Sequence, residues 1–200
     1  MIGVTNEKTA VMEGKYVRLE AISPKYFSQI VAWRNDERVR RYIVQPFLLT
    51  EELEKQWYDK YLTEKGHCMF IFISKSNDVP FGTLGYIHYD AAEKICIGTH
   101  HLVGLEEYRA SKEYTEAALM FHNYLFEVLN VEKVYVHVVD ENRKTVSLLK
   151  RIGFIDSDSL RFPEFLSMDG KKLSEYILTK QNYFAHRQVL LQLISGTGRF

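Results

Sequence analysis

Along "YVRLEAI" (16–22) apolar and polar residues alternate, a period of two that predicts a first strand. "SPKYFSQIVAWRND" (23–36) follows as a helix, with Ser23 as N-cap and Pro24 at its first position. "TEELEKQWYDKYLTEKG" (50–66) predicts a second helix: Thr50 caps it, acidic residues fill its first turn, and Gly66 closes it. Three strand-like runs come next: "MFIFISK", "FGTLGYIHYD" and "KICIGTHHLV". The turn segments "SNDVP" and "DAAEK" separate them, so an antiparallel meander is expected.

The stretch "EEYRASKEYTEAALMFHNYLFEVLN" (106–130) returns to helical spacing. Ala117, Ala118, Phe121, Tyr124, Leu125 and Val128 form one apolar stripe, which must lie on the sheet. "VYVHVVD" (134–140) is a short β-branched strand, and "ENRKTVSLLKRIGF" (141–154) a helix ending at Gly153, with Lys150 and Arg151 suiting its dipole. Two further strands are expected around the loop "DSLRFPEFLSMDGKK" (158–172), and "YFAHRQVLLQLIS" (183–195) reads as a last amphipathic helix. The order implies an α/β (α+β) chain: a single domain over 1–200, its core about 14–180 and 181–200 a C-terminal helix or tail. Its central sheet is mixed and mostly antiparallel, with helices packed on it.

Composition narrows the function classes. Two hundred residues that are 46% hydrophobic suffice for one core and are short for two domains. The 26 basic residues balance the 26 acidic ones, so no global field draws the chain to nucleic acid or an anionic membrane. The start, "MIGVTNEKTA", lacks the pattern of a secretory signal, and no apolar run could span a bilayer. A soluble, cytoplasmic protein is expected. Cys68 and Cys96, both in apolar stretches, read as buried thiols rather than a disulfide. Consecutive strand residues face opposite ways, which argues against zinc held jointly by Cys96, His100 and His101; no metal is expected.

Taken in order, "YVRLEAI", "AWRNDERVRRYI", "FGTLGYIHYD", "EYRASKEYTEA" and "DENRKTVSLLKRIGF" resemble the GNAT superfamily of N-acetyltransferases. The similarity spans roughly residues 14–180 and is greatest with the RimJ/RimL-like branch, which includes acetyltransferases of protein N-termini, antibiotics and amino sugars. The resemblance implies acetyl-CoA as cosubstrate, bound where "KICIGTHHLV" and "VYVHVVD", the fourth and fifth strands of this reading, splay apart. It places the pyrophosphate on the loop before the long helix, where the family pattern Q/R-x-x-G-x-G/A falls on Glu107, Tyr108, Arg109, Ala110, Ser111 and Lys112. Three positions depart from it: Glu107 for Gln or Arg, Ala110 for the first glycine, and Lys112 for the second small residue. Main-chain N–H groups at a helix start attract anions whatever the side chains, so the loop is still expected to bind. Ala110 is accommodated where its φ is negative. Lys112 either folds over the phosphates or intrudes on their space.

For the reacting end, the resemblance implies pantetheine contacts at Leu102 and Val103 and a main-chain N–H for the thioester oxygen, worth about 10²–10³ in rate. The branch's glutamate before Ile-Gly is replaced by Cys96, and the tyrosine before the final "GF" by Leu149. His101 is the preferred base, with His100 beside it; His88, Asp90 and Glu93 are weaker candidates. Asn142 and Thr145 match a branch pattern for pantetheine contact, or else cap a helix. The expected acceptor is a primary amine of a small molecule, such as an amino sugar or antibiotic, or of a protein N-terminus. A non-catalytic module of the same fold, or a transferase for another acyl donor, stays open. So does a homodimer through the apolar tail "VLLQLI".

Overall fold

The computed structural model describes residues 7–168 and 170–196. Strands β1 (Val11–Glu13), β2 (Val17–Ala21), β3 (Cys68–Ser74), β4 (Pro80–Asp90) and β5 (Ile95–Val103) pair antiparallel in chain order. β6 (Lys133–Val139) then joins β5 in parallel, and β9 (Lys171–Thr179) joins β6 antiparallel with β7 (Ile155–Asp156) outside it. The two-residue β8 (Ser167–Met168) folds back on β9. The mixed, mostly antiparallel sheet is therefore as expected. β1 is an addition: three residues are too few to show a period.

Helices cover both faces. On one lie α1 (Phe27–Asn35), the short α2 (Glu37–Arg40) and α3 (Glu51–Thr63), over a core that includes Ile22, Ile30, Trp33, Tyr61, Met69, Ile71 and Leu102. On the other lie α4 (Lys112–Asn123), α5 (Arg143–Arg151) and α6 (Lys180–Ser195), over Phe70, Phe72, Tyr86, Cys96, Phe121 and Val134. α6 packs along α4 through Tyr183, whose hydroxyl donates to Asn123 Oδ1 at 2.7 Å, and it buries Leu190 and Leu193 of the apolar tail. Among the described residues no helix is long and apolar enough to cross a membrane. Cys68 and Cys96 are buried and free, and burial pushes the Cys96 thiol up to about 12.

Local signals set most helix ends. Thr50 Oγ1 accepts from the Leu53 N–H at 3.2 Å, and Ser111 Oγ from the Tyr114 N–H at 3.0 Å. Ser23 makes no side-chain cap; Pro24 opens a 3-10 turn, Pro24–Tyr26, that leads into α1. Gly66 does not close α3, which stops at Thr63; it turns the chain into β3 with φ +64°. The stripe of the long helix holds through Leu125. Beyond it the helix widens into a π turn, Tyr124–Val128, which leaves Val128 45% exposed.

One buried carboxylate ties the first hairpin to α4. Glu116 accepts the N–H groups of Lys15, Tyr16 and Val17 at 2.8, 2.6 and 3.0 Å. Gly14 makes room for it, since a Cβ there would lie 2.6 Å from Glu116 Oε2. Hydrogen bonds to a charged acceptor are worth more than neutral ones, and their loss leaves buried donors unsatisfied. Glu116→Ala is therefore expected to lower stability by roughly 3 kcal/mol, measured as a lower urea midpoint at unchanged slope. Glu116→Gln should lose about half of that.

Candidate functional site

β5 and β6 stay paired for only three positions: Ile95 with Lys133, Cys96 with Val134, and Ile97 with Tyr135. After that β5 follows β4 to Val103 while β6 follows β9 to Val139, so the two parallel strands part. The cause lies in β5. Thr83 faces Leu102 and Gly85 faces Thr99, so Leu84 alone opposes both His100 and His101. This is a β-bulge, which bends and twists its strand. His100 carries it with φ +56°, and its carbonyl accepts from Thr83 Oγ1.

The two histidines face opposite ways, and the bulge sets which of them takes which face. The His101 ring is exposed on the α4 side, with Nε2 2.9 Å from the Tyr114 hydroxyl. His100 is half-buried on the α1/α3 side, edge-on to Trp57 with ring centroids 5.6 Å apart. Leu102 is buried among the residues under α1 and α3, and Val103 packs into the opposite core. Past Val103 the chain passes close beneath the Trp33 indole at Gly104, where a Cβ would collide with the ring.

The motif around Trp33 frames this side. Arg34 Nε donates to Gln45 Oε1 at 2.9 Å, and Asn35 pairs with the main chain of Leu49 through two 2.8 Å bonds. Asp36 accepts the Arg38 N–H at 2.9 Å and starts α2. Glu54, 2% exposed on α3, has its carboxyl pushed up by desolvation, which nearby Arg34 opposes. Desolvation also lowers the Arg34 guanidinium. Buried Glu54, with half-buried Arg34 near it, is thus an ionisable group that sequence reasoning passed over.

The loop before α4 is anchored by Tyr108, which stacks on Phe81 at 4.3 Å and exchanges hydrogen bonds with Asn77. Ala110 takes φ +59°, so the condition of negative φ is not met: the chain keeps the left-handed geometry that glycine serves best. Ser111 then caps α4, and among the described residues no acceptor is found for the N–H groups of Lys112 and Glu113, as at any open helix start. Lys112 does not cover that start. Its Nζ leans towards the Tyr16 ring, 5.8 Å from the centroid. Arg109 pairs with Glu106 at 3.0 Å, and Glu107 is exposed.

Other candidates sit further off. Asn142 Oδ1 accepts the Thr145 N–H at 3.3 Å and so caps α5. Asp90 Oδ1 takes the N–H groups of Ala92 and Glu93 in the turn after β4. His88, with φ +52°, lies against Phe162 and Phe165 of the loop after β7. Glu175 fastens that loop to β9, accepting from Ser157 Oγ, the Arg161 and Phe162 N–H groups and His137 Nε2 at 2.7–3.0 Å. Desolvation would raise its carboxyl, but these donors outweigh it and hold it below the ordinary value. Among the described residues no three His, Cys, Asp or Glu side chains gather as a metal site.

A parted parallel pair beside an open helix start is a recognisable geometry, and the profile of the "Acetyltransferase (GNAT) domain" family matches residues 17–155. The chain belongs to the GNAT acetyltransferase family. The spermidine N(1)-acetyltransferase of Escherichia coli K12 is 26% identical over 162 residues, 79% of this chain and 76% of that protein. Its counterpart from Vibrio cholerae is 28% identical over 120 residues, 58% and 65% of the two chains. Among solved structures, a V. cholerae spermidine N-acetyltransferase in complex with CoA and spermine superposes with TM-score 0.71 at 18% identity, covering 86% of this chain and 99% of that one. A GCN5-related N-acetyltransferase from Brucella melitensis gives 0.73 at 21%, covering 90% and 83%. These superpositions establish a shared GNAT fold.

The GNAT loop geometry carries its own test. A left-handed alanine costs about 1–2 kcal/mol, of which the freer unfolded chain of a glycine variant gives back part. Ala110→Gly should raise stability by about 0.5–1 kcal/mol in chemical denaturation, and Ala110→Val should lower it by at least about 1 kcal/mol. A destabilised glycine variant would mean that the loop does not need this conformation.

Proposed function

We propose that this protein moves acetyl from acetyl-CoA to a primary amine of a small molecule, with polyamines as the acceptor class. The observation that carries the reading is the parting of β5 from β6 beside the open N-terminus of α4. An extended thioester arm needs an unpaired strand edge, and a pyrophosphate needs main-chain donors; the β5 edge and the start of α4 supply one of each. His101, bonded to Tyr114 of α4, links the β5 edge to that helix.

On this reading the β5 edge at Leu102 and Val103 takes the pantetheine, and the main chain of Arg109, Ala110, Ser111 and Lys112 takes the pyrophosphate. Asn142 and Thr145, at the start of α5, flank the arm. Acetyl-CoA supplies the activated acetyl group; the protein supplies orientation and a place for the amine proton. His100 and His101 are the two imidazoles at the bulge, and either can accept a proton there. The α1/α3 side, with Trp57, Glu54 and Arg34, is the acceptor side, so His100 is the better placed of the two. Relatives named as spermidine N-acetyltransferases favour a polyamine over a protein N-terminus.

Ligand-linked melting followed by thiol release tests the reading. A ligand at a hundred times its Kd adds about 2.7 kcal/mol of stability, so acetyl-CoA should raise the melting temperature clearly. Spermidine or spermine with acetyl-CoA should then release free thiol. No shift at millimolar acetyl-CoA, with a control GNAT enzyme responding, would favour the non-catalytic module. A shift without thiol release from any amine would leave binding alone.

A further inference from the structure

His100 does not stand alone on the acceptor side. Its Nε2 lies 2.9 Å from His67 Nε2, and His67 Nδ1 lies 2.7 Å from Glu64 Oε2. The two rings are within 3° of parallel and their centroids are 5.1 Å apart. With the nitrogens so close, the rings reach that separation only edge to edge in one plane, with the N–H···N bond along the line of centres. His67 is 6% exposed, walled by Trp57 and Tyr61. The Glu64 side chain is 38% exposed at the end of α3.

We infer that Glu64 and His67 are positioning residues that fix the proton on His100 Nε2 and leave its Nδ1 lone pair free as the acceptor of the amine proton. This rests on the acyl-transfer reading above. The order of protons follows from the end of the chain. An ionised carboxylate only accepts, so His67 donates from Nδ1. Neutral His67 then has a lone pair on Nε2, which accepts from His100 Nε2–H. His100 is left with an unprotonated Nδ1 on the side of the ring away from His67.

The charges around the chain agree with it. The hydrogen bond from His67 holds the Glu64 carboxyl below its ordinary value, and Lys60 helps. Desolvation lowers His67, with Glu64 opposing and Lys8 and His88 adding to the fall. Desolvation likewise lowers His100, to about 3, with His67, Arg34 and Lys8 adding. At neutral pH the chain is thus carboxylate, neutral imidazole, neutral imidazole. In the reaction the amine nitrogen bonds to the thioester carbon and gives its proton to His100 Nδ1. The C–S bond breaks, and the imidazolium hands that proton to the departing sulfur. Glu64 stabilises the transient imidazolium through His67, as an acidic residue behind a catalytic histidine does in other hydrogen-bonded triads.

Nitrogen-15 NMR of histidine-labelled, ligand-free protein reads the tautomers without any turnover, with signals assigned from His67→Gln and His100→Gln. The expected pattern is Nδ1–H on His67 and Nε2–H on His100; Nδ1–H on His100 overturns the inference whatever the activity. Glu64→Gln keeps a hydrogen-bonding side chain and removes the charge. It should lower kcat at least about tenfold with the KM for acetyl-CoA unchanged, and His67→Gln should do the same. Removing a negative charge makes the imidazolium less stable, so in Glu64→Gln the acid limb of kcat/KM should move to lower pH. A Glu64→Gln enzyme with wild-type kcat and an unmoved limb would overturn the relay. Wild-type protein inactive with every amine would defeat the transfer reading, while the tautomer measurement would still decide the proton order.

Discussion

One extra residue in β5 organises the rest of the site. Because His100 and His101 together oppose Leu84, the strand bends where it would otherwise have stayed beside β6. The bend leaves an unpaired edge inside the sheet, which a folded protein tolerates only where something else can meet those main-chain groups. It also shifts the alternation of faces by one residue, which sets His101 towards Tyr114 on α4 and His100 towards Trp57 and His67 under α3.

Buried carboxylates hold the borders of this opening. Glu116 gathers the main chain of the β1–β2 hairpin onto α4, one turn beyond the loop that carries Ala110. Glu175 gathers the loop after β7 onto β9 and sets Phe162 over Tyr135 and His137. Each takes several hydrogen bonds rather than a single ion pair, and at Glu175 these donors hold the carboxyl below its ordinary value. Glu54 has no such set of donors, and its carboxyl is pushed the other way. Two of these acids fasten the scaffold, and the third is buried on α3 near Arg34.

Two residues that depart from the family pattern have a plain local account. Ala110 holds a left-handed φ without glycine, because Tyr108 on Phe81 and the Ser111 cap fix the chain on either side. Lys112, which from its position could either hold or block a phosphate, leans away towards Tyr16. Cys96 is an ordinary core thiol, buried and free.

By itself the sequence determined the order and kind of nearly all the elements and, through Leu125, the face the long helix buries. Those depend on period and caps, which are properties of neighbours along the chain. It also put His100 and His101 at the critical strand, since a resemblance in order and spacing is local too. Tertiary structure alone decided which histidine faces which side, because one inserted residue changes the alternation and no local pattern marks it. Only folding could bring His67, with Glu64 three residues before it, to His100, 33 positions further on. A hydrogen bond between distant residues is set by strand register and helix packing, and neither is written in any short stretch of the chain.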